Sequence, residues 1–170
     1  MLNLTHIESE LDAMKKYVLQ QSKSNLTKKG HNFSKKLYNS LDAESKVSAN
    51  SFSLDFLMEE YGVYQDKGVK GKTSTVKAPN SPFKYTNKMP PAKVFSNWVV
   101  KKGFAPRNEK GQFQSRKSLQ FAIARSIFLT GIKTTNFLTT PFERAFKRLP
   151  DDIVEAYSLE VDTLFKTSLI

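Results

Sequence analysis

The repeat of the apolar residues changes once in the first sixty positions, and that change constrains the fold more than any other feature of the chain. Leu4, Ile7, Leu11, Met14 and Val18 recur at spacings of three and four, and Ser22 and Leu26 extend the same face. This is the pattern of one side of an α-helix. From Leu41 the repeat becomes two: Leu41, Ala43, Ser45 and Val47 alternate with Asp42, Glu44 and Lys46. Phe52, Leu54, Phe56 and Met58 then alternate with Ser53, Asp55, Leu57 and Glu59. Two such runs around Ser48-Ala49-Asn50-Ser51 predict an antiparallel hairpin with one polar face. The narrow helical stripe is the natural cover for its apolar face. The expected fold class is therefore α+β, a long N-terminal helix packed on a small antiparallel sheet, followed by several helices and long basic loops. Thr5 with Glu8 fits a capping box at the helix start, and Lys28, Lys29 and Gly30 fit its end. Lys15, Lys16 and Lys23 are expected in solvent.

Beyond the hairpin the periodicity is weaker. Tyr61 to Gly68 reads as a short turn or helical turn. Residues 67–90 hold Gly68, Gly71, Pro79, Pro82 and Pro90 without a repeat, which predicts a long loop. Pro90-Pro91 opens a helix with Val94, Phe95, Trp98 and Val99 on one face, ended by Gly103. After a second basic loop at 104–114, which includes Pro106, a helix from Ser115 or Ser118 to Gly131 is apolar nearly all round and is expected to be the most buried. Pro141 to Leu149 predicts a short helix with Phe142, Ala145 and Phe146 inward. Pro150, Asp151 and Asp152 start a last helix through Ile153, Val154, Tyr157, Val161 and Leu164, whose tail, Leu159 to Phe165, could pair as a strand instead. The 170 residues fit a single domain. Its parts are a helix-plus-hairpin scaffold (1–66), a basic loop and helix insertion (67–117) and a helical C-terminal part (118–170).

Charge divides the chain sharply. The net charge is +11, yet residues 1–66 hold 8 Lys and Arg against 9 Asp and Glu, and residues 118–170 hold 6 against 6. Residues 67–117 hold 13 against one, Glu109. A segment this one-sided should meet an acidic partner, a phosphate backbone or water. Cysteine is absent, which excludes disulfides, thiol nucleophiles and Cys-based zinc sites. No run of about 18 apolar residues exists, so no membrane span is expected. Glu8, Glu10 and Asp12 stand where a signal peptide carries positive charge, so a soluble product made and used inside the cell is expected.

The motifs that suggest chemistry fail on spacing. Gly71-Lys72-Thr73 has the form of the end of a phosphate-binding loop, but Asp66 stands where that loop needs its first glycine, and Pro79 breaks any following helix. His6 and His31 flank the first helix, more than about 30 Å apart at ~1.5 Å per residue, and are expected on the surface. Asp55, Glu59, Glu60 and Asp66 are the carboxylates available for a metal or acid–base set. A solvated strand face explains Asp55 and Glu59, and a turn cap explains Asp66. The expectation is no catalytic, cofactor or metal site, and no enzyme. The functional candidates are the cations. Lys67, Lys70, Lys72, Lys77, Lys84 and Lys88 lie on the first loop, and Lys101, Lys102 and Arg107 on and around the second. Lys110, Arg116 and Lys117 add to the second group. Phe83, Tyr85, Phe104 and Phe113 are interleaved, as in single-strand binders. Three readings stand open: solvated loops with aromatic anchors, docking on an adjacent subunit, and nucleic-acid contact without sequence reading.

A set of short motifs also resembles the tail-completion (minor tail, head–tail joining) proteins of tailed phages. They are Lys16-Tyr17-Val18, Ser22-Lys23-Ser24-Asn25-Leu26 and Lys36-Leu37-Tyr38-Asn39-Ser40, in which Leu37 and Ser40 match a Leu-x-x-Ser-Ile motif and Leu41 replaces its isoleucine. Next comes a turn motif, Tyr61, Gly62, Tyr64, Asp66 and Gly68, and later Pro141-Phe142-Glu143-Arg144-Ala145. The resemblance covers residues 10–68, and 115–165 more loosely. It implies a structural virion protein without catalytic residues, a homo-oligomer closing as a six- or twelvefold ring. Its place would be the phage neck or tail, assembled in the host cytoplasm between the portal or an adjacent connector ring and the tail proteins, around the DNA channel. The basic insertion would then contact neighbours or, non-specifically, packaged DNA. A nucleic-acid-binding accessory protein is the alternative.

Overall fold

The computed structural model describes residues 4–30, 34–48, 51–105, 107, 109–113 and 115–168, with side chains through 162. His31, Ala49, Asn50, Pro106 and the side chain of Leu164, each used above, lie outside the described residues. The chain forms two compact units, residues 1–62 with 136–170, and residues 63–135.

The first unit is built on α1 (Thr5–Lys28), whose stripe Ile7, Leu11, Met14, Val18, Ser22 and Leu26 is buried along its whole length. The expected α+β arrangement is present: α1 packs on a two-stranded antiparallel sheet of β1 (Asp42–Ser48) and β2 (Ser51–Leu57). Ala43 faces Phe56, Ser45 faces Leu54 and Val47 faces Phe52. Val47, Leu54 and Phe56 close over Ile7, Leu11, Met14 and Val18. α1 also packs on α6 (Thr139–Phe146) and α7 (Leu149–Ser168), which add Phe142, Ala145, Leu149, Ile153 and Ala156 to the same core. The Phe142 ring meets Phe56 edge-on at 5.8 Å. A second cluster lies at the far end of α1. There Leu26 joins Leu37 of α2 (Lys36–Ser40), Leu41 and Phe137, a residue from the connector before α6.

Several local expectations are corrected. Thr5 does not form a capping box: Leu4 is the N-cap and makes no side-chain cap hydrogen bond. The cap comes instead from α7, where the buried Glu160 accepts a 2.6 Å hydrogen bond from the His6 N–H. An acidic group is favourable at that end of the helix dipole. Lys15 is not simply solvated, since it pairs with Asp12 and donates to Ser45 Oγ. Lys23 sits 5.5 Å over the Tyr38 ring. Phe146 is exposed rather than inward, while Phe142 packs against the core. The tail of α7 is helical, and among the described residues it pairs with no strand.

The second unit has a different construction. It contains most of α3 (Tyr61–Lys67), β3 (Val69–Lys70), a 3-10 helix (Ala92–Phe95), α4 (Ser96–Lys101), α5 (Arg116–Thr130) and β4 (Gly131–Ile132). Ser115 caps α5 by accepting from the Ser118 N–H. β3 and β4 pair antiparallel, Val69 with Ile132 and Lys70 with Gly131. The expectation that α5 is the most buried helix is overturned: of its residues only Ala124 is buried, and Phe121 is 53% exposed. Among the named elements of the unit it packs on the 3-10 helix, α4 and β4, and Tyr85 and Lys72 reach Phe128 from the loop, while Phe121 and Ala122 stay exposed. Val94 is likewise exposed, and Val99 alone of α4 is fully buried.

Candidate functional site

All twelve candidate cations fall in the second unit, which has fifteen Lys and Arg against Asp66 and Glu109 and a net charge of +13, leaving −2 on the first. Two carboxylates cannot neutralise fifteen cations, so the unit repels itself.

The Gly71-Lys72-Thr73 triplet has a definite role here, at the end of a helix opposite to the one that binds phosphate. The last carbonyls of α5 lack partners within the helix. The Gly131 N–H donates to Ile127, the Lys72 N–H to Phe128 (2.8 Å), and both the Thr73 N–H and Thr73 Oγ1 to Leu129. Lys72 Nζ lies 5.4 Å over the Phe128 ring, and Lys77 Nζ donates to Thr130 Oγ1 at 2.8 Å. Two cations therefore sit at the negative end of the α5 dipole. Gly71 is required by close approach, since a Cβ there would run into the Leu129 carbonyl. Thr134 and Thr135 do for α3 what Thr73 does for α5. Their hydroxyls donate to the carbonyls of Lys67 (2.8 Å) and Gln65 (2.7 Å), and the Thr135 N–H donates to Asp66.

Lys70 is the centre of a small backbone network. Its N–H donates to Phe83 and its carbonyl accepts from Tyr85, each at 2.9 Å, which makes Lys84 its neighbour across a parallel bridge. The predicted loop 67–90 is thus pinned to the rest of its unit. Ser81 Oγ donates to Gly68 (2.7 Å), and the Thr134 N–H donates to Lys77. Lys67 and Lys70 are half-buried, while Lys84, Lys88, Lys101 and Lys102 are exposed. Arg107 donates to the Gly111 carbonyl and lies 4.2 Å over the Phe113 ring.

The interleaved aromatics divide into two kinds. Phe83 meets Tyr64 edge-on at 4.6 Å, and Tyr85 meets Phe128 at 6.0 Å. Burial pushes the Tyr85 hydroxyl pKa up. Phe104 packs on Trp98 at 5.3 Å yet stays 45% exposed, and Phe113 is 69% exposed.

The turn motif is divided between the units: Tyr61 and Gly62 belong to the first, and Tyr64, Asp66 and Gly68 to the second. Gly62 leaves room for Leu37 and Met58, both within 2.7 Å of where its Cβ would stand. Ser40 Oγ donates to the Leu37 carbonyl and accepts from the Glu59 N–H, tying α2 to the end of β2.

The carboxylates are spread over different surroundings. Asp55 and Glu60 are exposed, Glu59 pairs with Lys36 at 2.9 Å, and Asp66 is buried in the other unit. Among the described residues no cluster of three His, Asp or Glu could hold a metal ion. No helix there is long and apolar enough to cross a membrane. One cleft had no signal in the sequence. About 590 Å³ in volume, it lies in the first unit between α1 and the α6–α7 corner, lined by Glu10, Met14, Tyr17, Arg144, Arg148 and Asp152. Its cations stand in the last turn of α6 and just after it, where the helix dipole already favours them.

Compared with protein families, with characterised proteins and with solved structures, the chain matches none.

Proposed function

We propose that the chain is a non-enzymatic structural subunit of a tailed-phage virion, a ring of the neck or upper tail that joins portal and tail around the DNA channel. The observation that carries this reading is the sheet of the first unit. Among the described residues β1 pairs with β2 and neither has a second partner, so each strand keeps an outer edge. Such an edge accepts a strand from a neighbour, and a head-to-tail contact that closes makes a ring. The motifs behind the resemblance add support. Lys16 to Leu26 lie on α1 and Leu37 and Ser40 on α2, before that sheet in the chain, and the turn motif, on and after α3, follows it in sequence. The charge of the second unit suits loose contact with packaged DNA, held by phosphates and not by base sequence. Electron microscopy of purified particles tests the proposal: the chain is expected as a symmetric ring around the channel, and its absence from particles overturns it.

A second reading, a nucleic-acid-binding accessory protein, is favoured by one observation. The exposed Phe113 ring beneath the Arg107 guanidinium is a surface on which a base can stack. Titration of a labelled oligonucleotide at two salt concentrations tests it, and no binding at low salt removes it.

A further inference from the structure

The outer face of the hairpin carries an unusual pairing. Glu44 of β1 stands directly opposite Asp55 of β2, and Asp42 stands opposite Leu57. Glu44, Asp55 and Asp42 are exposed, and Leu57 is 46% exposed. Lys46, opposite Ser53, is the one cation on that face. Like charges directly opposite on neighbouring strands, with Cβ atoms roughly 5 Å apart, destabilise a hairpin. The second unit holds the mirror of this arrangement, since Lys70 and Lys84 are neighbours across their bridge. On its other side Lys70 faces Gly131, which has no side chain to screen it. Each pair repels itself, and each is the complement of the other at the spacing of neighbouring strands.

We propose that the acidic hairpin face of one copy docks on the Lys70–Lys84 pair of a second copy, Glu44 and Asp55 meeting the two ammonium groups with Leu57 at the edge of the contact. The two surfaces belong to different units, so the contact is head-to-tail and repeats from copy to copy. This rests on the ring reading and names the interface that closes it. The basic pair alone would also attract a nucleic acid, but only a second copy supplies two carboxylates at the matching spacing.

The test is sedimentation velocity on the full chain at low and high salt, with charge-reversed variants. E44K/D55K and K70E/K84E are each expected to weaken self-association about 100-fold or more at low salt. The quadruple swap, and an equimolar mixture of the two double variants, should restore it, because both restore opposite charges at every contact. Circular dichroism superimposable on that of the parent chain confirms folding. Should reversal perturb a variant, E44Q/D55N and K70Q/K84Q replace it, with a loss of about tenfold expected. Double variants that associate like the parent chain, or a quadruple swap that stays dissociated, overturn the contact while leaving a ring seen in particles untouched. A parent chain that stays monomeric also overturns it. So does K70E/K84E losing oligonucleotide binding while keeping self-association, which would give the basic pair to nucleic acid.

Discussion

The two units hold themselves together by different means. The first is a side-chain core: its two apolar clusters run the length of α1, and its charges nearly balance. The second buries mostly small residues, Ala78, Val99 and Ala124 among them, beside the polar Asp66, Ser81 and Thr135. It depends on backbone hydrogen bonds between segments far apart in sequence and on glycines where chains nearly touch. A packed core tolerates exposed charge of either sign. A unit made of crossing backbone carries +13 with less apolar burial to offset the repulsion, which suits a surface that meets an anionic partner.

The largest effects should fall on different atoms in the two units. Phe137 is fully buried between Leu26, Leu37 and Leu41, and Phe137→Ala should cost about 3–5 kcal/mol through the cavity it leaves. In the second unit the sensitive position has no side chain. Gly131 has φ +84°, and a Cβ there would meet the Val69 carbonyl and the Gly71 nitrogen. Gly131→Ala should cost about 3 kcal/mol or more, because backbone and not a rotamer must move. Hydrogen exchange read by mass spectrometry should show Phe137→Ala releasing protection in α1 and the hairpin, and Gly131→Ala releasing it in β3 and the end of α5. Equal losses everywhere from either substitution would break the distinction.

What was legible in the sequence follows the same division. The α1 stripe and the hairpin alternation are local repeats, and the structure has both, although Phe52 stays exposed. Phe137 sits in a connector with no repeat to mark it. Glu160 caps a helix 154 positions away, a partnership that no local spacing encodes. Composition showed that α5 is apolar but not how little would cover it. Gly71-Lys72-Thr73 looked like chemistry and proved to be a cap, because glycine at a close approach and threonine at a helix end are the same residue types that cradle phosphate. Of the candidate cations, the sequence revealed the charge. That Lys70 and Lys84 are neighbours depends on two backbone hydrogen bonds spanning the loop between them.

One substitution should have opposite signs in the two units. Ser22 is fully buried on α1, and among the described residues its hydroxyl has no hydrogen-bond partner. Ser22→Ala removes an unsatisfied polar group and favours the helix, and should stabilise the first unit by about 1 kcal/mol. Ser81 is also buried, but its hydroxyl donates to Gly68 and accepts from the Phe83 N–H at 3.1 Å. Ser81→Ala should destabilise the second unit by about 1–3 kcal/mol. Denaturant midpoints that move the same way for both would mean that Ser22 is satisfied in solution.

The smallest effects are those of pH, and they too separate the units. In the first, the hydrogen bond from Lys15 holds the Asp12 carboxyl below its ordinary value, with the Lys15 charge and Ser45 helping against some burial. The folded state thus prefers the ionised form, so its contribution is complete above the unfolded value of about 4 and is lost as pH falls through the folded one. In the second, burial raises Tyr85, and the folded state prefers the neutral phenol. That contribution is complete below about pH 10 and is lost as pH rises through the folded value. The first unit has an alkaline contribution of its own, since the hydrogen bond to Glu59 raises Lys36. That stability is present below about pH 10.4 and fades as the folded lysine deprotonates. Hydrogen exchange followed across pH should therefore show Asp12→Asn flattening the acid slope of the α1–hairpin contact alone. Tyr85→Phe should flatten the alkaline slope around Lys70 while Lys36 keeps the one at α2. An alkaline slope around Lys70 that survives Tyr85→Phe would show that burial of the Tyr85 phenol is not its cause.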